Sequence, residues 1–173
     1  FGRSDWSPEG RYFVFDCGPR GHGHGHLDLL SVEMHGFGDL LIADPGRWLY
    51  ADDPVRRQLV STPAHNTISL DGKSHDTIEA PGGTIELVKA EQRDGWMYVH
   101  GRHTAYRNMA GPPVLERRIW FDGDATWLVL DSVQSPELHG IRQTWQFATT
   151  GATLEGLQAA ARGPNGAQVH IAV

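Results

Sequence analysis

Apolar runs of about four to eight residues recur along this chain between Gly, Pro and Asp-Gly signals, and no window of useful length places apolar residues at helical spacing. That pattern constrains the fold more than any other feature. The 21 Gly and 10 Pro are spread through the sequence instead of being collected in one linker, as expected for short strands joined by turns. Strands are expected near Arg11–Cys17, Leu27–His35, Asp39–Asp44, Asn66–Leu70, Thr84–Ala90, Trp96–His103, Val114–Phe121, Ala125–Val133 and Ile141–Ala148. The second half is clearest: "TWLVLDSV" and "RQTWQF" are rich in β-branched and aromatic residues. "FDGDATW" reads as a hairpin connection with Gly123 at the turn. "LEGLQAAARG", Leu154–Gly163, is the one helical candidate, weakened by its glycines. The closing "AQVHIAV" reads as a strand with no turn after it, so the domain is expected to continue. The expected architecture is all-β: an antiparallel β-sandwich of stacked sheets, one domain over residues 1–173.

A chain of 173 residues can bury one real hydrophobic core. With 39% hydrophobic and 21% charged residues, its composition is globular, not disordered. The net charge of -6 argues against a nucleic-acid surface, yet a few local arginines can still hold an anionic ligand. A single cysteine, Cys17, excludes an internal disulfide, and with no signature around it a packed thiol is expected, not a nucleophile. No apolar run approaches the roughly 18 residues needed for a membrane-spanning helix. The chain begins at Phe1 and not at Met, as expected for a piece of a longer polypeptide, so a missing signal peptide excludes no compartment.

The chemistry concentrates in "RGHGHGHLDLLSVEMHG", Arg20–Gly36. In an extended segment every second side chain shares a face, so His22, His24, His26 and Asp28 are expected along one side of a strand. The intervening glycines let a ligand or another backbone come close. The next arm, "GDLLIADPG", delivers Asp44 at its end, and "STPAHNTISLDG" puts His65 at the start of another strand. Imidazole nitrogen and carboxylate oxygen are ordinary Zn²⁺ ligands, so these groups read either as a metal site or as hydrogen-bonded strand ends. The histidine run is internal and continuous with a strand, which argues against a purification-tag remnant. A cupin-like iron or manganese site is a further reading. That pattern wants Glu three or four residues after an H-x-H pair, whereas six residues separate His26 from Glu33, putting Glu33 on the opposite face of a regular strand. Arg47, Arg56 and Arg57 form a basic group that either meets an anionic sugar or faces solvent. Trp96, Trp120, Trp127 and Trp145 either stack on sugars or fill the core.

Taken together, "FDCGPRGHGHGHLDLLSVEMHGFGDLLIADPGRWLY" followed by "STPAHNTISLDGK" resembles the β-sheet domain of the heparinase II/III-like polysaccharide lyases, which include oligoalginate lyases. The resemblance runs over roughly residues 11–73, and residues 74–173 agree as a β-rich continuation. It implies an N-terminal α/α-toroid, not visible in this chain, packed on a C-terminal antiparallel β-sandwich with the active site in the cleft between them. It implies that His26, Asp44 and His65 bind Zn²⁺, that His24 faces the substrate, and that Tyr50 contacts it. The toroid would add Asn, His, Tyr and Arg groups. The implied reaction is β-elimination on an acidic polysaccharide containing uronate, of the heparan sulfate or alginate class, in the periplasm or outside the cell.

That chemistry asks for a neutralised carboxylate, a base for the C5 proton and an acid for the leaving oxygen. His24 and Tyr50 are the candidates, because an imidazole committed to zinc cannot shuttle protons by the same nitrogen. Asp28 can orient a histidine ring, and His22 has no assigned role. Alone, the chain is expected to show little activity, since half the cleft belongs to the toroid. The competing function class is a non-catalytic carbohydrate-binding scaffold stapled by zinc.

Overall fold

The computed structural model describes residues 1–19, 24–76, 84–149 and 151–173. It is built almost wholly of antiparallel strands. Gly2–Arg3 (β1), Tyr12–Phe15 (β2), Val32–Gly36 (β3) and Asp39–Ile42 (β4) form one four-stranded sheet in chain order. Ile85–Arg93 (β6), Trp96–His103 (β7), Val114–Phe121 (β8) and Trp127–Gln134 (β9) form a second. Ile68–Leu70 (β5) pairs with Ile141–Gln143 (β10), and Thr153–Glu155 (β11), Gln158–Arg162 (β12) and Gln168–Ala172 (β13) make a three-stranded sheet.

The two larger sheets pack face to face because their sequences alternate. On β8, Leu115, Arg117, Ile119 and Phe121 are buried while Val114, Glu116, Arg118 and Trp120 are half-buried on the other face. Phe13, Val32, Met34 and Ile42 of the first sheet meet Val99, Ile119 and Phe121 of the second. The Phe13 and Phe121 rings meet edge to face at 6.0 Å. Burying each such side chain contributes about 1.5–3 kcal/mol. The expected all-β sandwich is thus the observed one. Trp127 and Trp145 pack against this core, whereas Trp96 is exposed and Trp120 lies outside it against Tyr98.

The β8–β9 hairpin turns where expected: Gly123 has φ +78°, and Asp122 Oδ1 accepts the N–H groups of Asp124 and Thr126. Three expectations need correction. "LEGLQAAARG" forms the β11–β12 hairpin, not a helix; Gly156 supplies the positive φ at the turn and Ala161 is buried on β12. Residues 27–31 are not strand. The amide groups of Leu27, Leu29 and Leu30 bond to Val60 O, His75 Nε2 and Asp16 O, and Leu30 takes φ +61°, so the ladder begins only at Val32. A six-residue helix, Pro54–Leu59 (α1), follows Asp53, which caps it by accepting from Val55 N and Arg56 N. An Asp-Pro start is a legible signal for such a helix, but six residues are too short to show a period.

Two contacts fix the frame, one at the β3–β4 turn and one beside the segment after β2. The buried Asp39 carboxylate accepts from Asn165 N and Ala167 N, which pins the β12–β13 turn to the β3–β4 hairpin. Gly101 on β7 leaves room for the segment after β2: a Cβ there would stand 2.7 Å from both Cys17 Sγ and Leu30 Cδ2. No helix of the described residues is long and apolar enough to cross a membrane, which says nothing of membrane β-barrels.

Candidate metal and acid–base site

Three loops on one end of the first sheet bring the chemistry together. The segment from His24 to Ser31 links β2 to β3 and is folded by two turns, with Ser31 N bonded to Asp28 O and Leu30 N to Asp16 O. Asp44 follows β4 in an Asp-Pro-Gly turn and accepts from Gly46 N at 2.7 Å. His65 follows the single 3₁₀ turn Thr62–Ala64 and is wholly buried. These turns are local chemistry; their meeting is not.

Ligand atoms of His26, Asp28, Asp44 and His65 all lie within 4.8 Å of one another. His65 Nδ1 is 2.7 Å from Asp44 Oδ2, and the His26 and His65 rings stack at 5.1 Å. The ionised carboxylate can only accept, so Nδ1 of His65 carries the proton and Nε2 presents its lone pair. That Nε2 is buried and has no hydrogen-bond partner. A buried imidazole nitrogen with no partner, beside the His26 ring and the Asp28 and Asp44 carboxylates, is a polar atom that a metal ion would satisfy. The donor set, nitrogen and oxygen in a small half-buried group, fits a divalent ion.

The electrostatics agree. Burial by itself would raise the Asp44 carboxyl, but hydrogen bonds from His65 and Gly46 N–H outweigh it and hold the group below the usual carboxylate range. Burial and the neighbouring His65 push His26 down, keeping it neutral with a lone pair to offer. Burial, joined by the adjacent Asp28, pushes Asp16 up to about 6 against an opposing bond from Gly18 N–H. Glu33 is raised by burial and then by Asp44. Asp16 and Glu33 resist ionisation chiefly because they are buried, and the neighbouring Asp28 and Asp44 add a repulsion that a cation would relieve.

Asp16, His24, His26, Asp28, Glu33 and Asp44 line one cleft of about 440 Å³ on the outer face of the first sheet. His24 stands at its rim, where its Nδ1 lies 2.9 Å from the Tyr50 hydroxyl. The Arg47 guanidinium sits 4.0 Å above the Tyr50 ring. A hydroxyl and an imidazole in direct hydrogen bond, open to solvent, can pass a proton between them or to a bound molecule.

The structure therefore gathers His26, Asp44 and His65, and separately pairs His24 with Tyr50. It does so by a different route from the one the period-two spacing suggested. His24, His26 and Asp28 lie on a folded loop, not along one face of a strand. For the same reason Glu33, expected opposite His26, lines the same cleft: it belongs to β3 and His26 does not. His22 falls outside the described residues. Of the three arginines, Arg47 reaches the site, while Arg57 on α1 pairs with Asp52 at 2.5 Å on the surface. Cys17 donates to Glu86 O, and its thiol is pushed up to about 11, chiefly by burial, so it is no nucleophile. Sequence reasoning missed Asp16, just after β2, and set Glu33 on the wrong face, because neither position carries a local sign that it faces a cleft. A larger cavity of about 670 Å³ runs between β4, β9 and β13, but its lining is mainly apolar and offers one imidazole, His170, and no carboxylate.

The family model described as "Heparinase II/III-like, C-terminal" matches residues 6–172. No curated protein sequence matches the chain. Among solved structures, heparan sulfate lyase HepC from Pedobacter heparinus superposes with a TM-score of 0.85 at 19% identity, covering 98% of this chain and 26% of that one. The Heparinase III-BT4657 gene product superposes with a TM-score of 0.82 at 20% identity, covering 96% of this chain and 26% of that one. These likenesses establish the fold. The chain spans about a quarter of the length of each of these solved proteins.

Proposed function

The chain belongs to the heparinase II/III-like C-terminal family, and from that premise we propose that it is the β-sandwich domain of a zinc-containing polysaccharide lyase. The lyase cleaves uronate-containing polysaccharides, of the heparan sulfate or alginate class, by β-elimination. An N-terminal α/α-toroid of the same polypeptide supplies the other wall of the cleft, and the enzyme works in the periplasm or outside the cell. The observation that carries the reading is one cleft that brings a half-buried His/Asp donor group beside a Tyr–His pair at its rim.

In this reading His26, Asp28, Asp44 and His65 hold the ion. Bound Zn²⁺ supplies fixed positive charge and ties the three loops together. Were an ion held by all four, the closed set of protein donors would suit a structural site. The proton chemistry then falls to His24 and Tyr50. One takes the C5 proton of the uronate and the other protonates the departing 4-oxygen; their mutual hydrogen bond lets the proton return between turnovers. Arg47, stacked on the Tyr50 ring, favours the approach of a sugar carboxylate. Neutralising that carboxylate makes the C5 proton removable, and the toroid shares this task.

The test is the full-length protein incubated with heparan sulfate and with alginate, following the ultraviolet absorbance of the unsaturated uronate product, together with elemental analysis. Product from at least one polymer and about one zinc per chain are expected. Folded, metal-replete protein that contains no zinc rejects the ligand set. Absence of product from every uronate polymer rejects the lyase reading. The isolated domain is expected to hold zinc but to turn over little substrate.

A further inference from the structure

The sandwich interior contains a charged side chain that no reading of the site has used. Arg117, on β8, has no exposed surface. Its Nε and Nη2 donate to Asp131 Oδ1 and Oδ2 at 2.7 and 2.8 Å, a bidentate pair across β8 and β9. Its remaining arm leaves the sheet. Nη1 donates to Leu30 O at 2.9 Å and to Asn66 O at 2.5 Å, reaching 87 and 51 residues back along the chain.

Those two carbonyls belong to the segments that present the donor group. Leu30 ends the folded loop that holds His26 and Asp28, and its positive φ means that the loop is not held by a regular ladder. Asn66 is the neighbour of His65. The Asn66 side chain continues the connection: Nδ2 donates to Ala43 O, next to Asp44, and Oδ1 accepts from Gln146 N. One guanidinium and one carboxamide therefore reach all three loops. Asp131 is itself fixed by Gln143 Nε2 at 2.6 Å, and Gln143 Oε1 accepts from Trp145 Nε1.

We infer that Arg117 is a positioning residue for the metal group: through the carbonyls of Leu30 and Asn66 it sets the separation between the His26–Asp28 loop and His65. The inference rests on the metal reading above. The chemistry suits arginine alone, because two carbonyls and a carboxylate must be met at once in a plane. A lysine ammonium keeps the charge but cannot span that fork. Groups that orient metal ligands from behind typically alter metal affinity by about 10–100-fold when changed.

The test is Co²⁺ titration of the full-length protein, following the visible absorption of the bound ion, with the His65→Ala variant as the baseline for uptake elsewhere. Arg117→Lys, checked for folding by circular dichroism, is expected to bind Co²⁺ at least about tenfold more weakly, with shifted absorption bands. A role confined to stability would lower the melting temperature yet leave the spectrum of the folded fraction unchanged. Should Arg117→Lys fail to fold, Asp131→Asn keeps the guanidinium, loosens its anchor and is read in the same way. Wild-type binding with an unchanged affinity and spectrum in the folded variant overturns the inference and leaves the metal reading intact. No Co²⁺ or Zn²⁺ uptake by the wild type above the His65→Ala baseline overturns both.

Discussion

The Tyr50 hydroxyl lies 2.9 Å from Nδ1 of His24, joining two loops 26 residues apart at the rim of the cleft. Tyr50 is 68% exposed, so it contributes almost nothing to the core. Tyr50→Phe keeps the ring under Arg47 and removes only the hydroxyl. In the full-length lyase it is expected to lower turnover by about 10²-fold or more without changing the zinc content or the melting temperature. Initial rates set beside metal analysis check this; an unchanged rate would remove Tyr50 from the mechanism.

A second pair of residues makes stability depend on pH. His75 and His103 are buried with ring centroids 5.6 Å apart. Each uses a ring nitrogen as an acceptor, from Leu29 N and Ala105 N respectively. Burial, then repulsion from His75, pushes His103 from 6.5 down to about 3; His75 is also lowered, chiefly by burial. Between those values the unfolded chain binds the proton and the folded chain does not, so stability falls as pH falls from about 6.5 toward 3. The slope from His103 is about 1.4 kcal/mol per pH unit. Urea unfolding across this range measures it. His103→Asn, which keeps an acceptor near Ala105 N, is expected to flatten the curve by about one proton.

Packing above β7 depends on a missing side chain. A Cβ at Gly101 would meet Cys17 Sγ and Leu30 Cδ2 at 2.7 Å and Phe15 Cζ at 2.8 Å, and Leu30 is wholly buried. Gly101→Ala is expected to destabilise by about 1–3 kcal/mol and to displace the segment next to the donor group. A drop in the urea midpoint accompanied by weaker zinc binding is the expected result; unchanged values for both would show that the segment yields freely.

Asp39 offers a contrasting case, far from the chemistry. Its buried carboxylate is the acceptor for Asn165 N and Ala167 N. Asp39→Ala leaves both donors without it, at a cost of about 2–3 kcal/mol. Denaturant unfolding should show this loss with no change in metal content, which separates frame from site.

Much of this was legible before the fold was known. The alternation in "VLERRIWF" marks β8, and the Asp-Gly in "FDGDATW" marks its turn, because strand period and turn chemistry are local properties. Asp44 and His65 were legible as strand-end groups because "ADPG" and "STPAH" are turn sequences that must project their side chains outward from a ladder. The histidine run was misread in geometry. Its spacing suits one face of a strand, but the amides of Leu27, Leu29 and Leu30 find partners in Val60, His75 and Asp16, residues that no local pattern connects to them. Arg117 passed unnoticed for a similar reason: an inward arginine on an alternating strand reads as a defect until its two distant carbonyls are in view.

What the sequence determined by itself is the all-β class, most of the hairpins and the membership of a family, since each rests on short-range periodicity, turn residues and the order of motifs. What only the tertiary structure decided is which side chains meet: His65 with Asp44, Tyr50 with His24, Arg117 with Leu30 and Asn66. These contacts form between loops whose ends are fixed by sheet packing, 21 to 87 residues apart. A loop's own residues specify how it turns; the core beneath it specifies where it points.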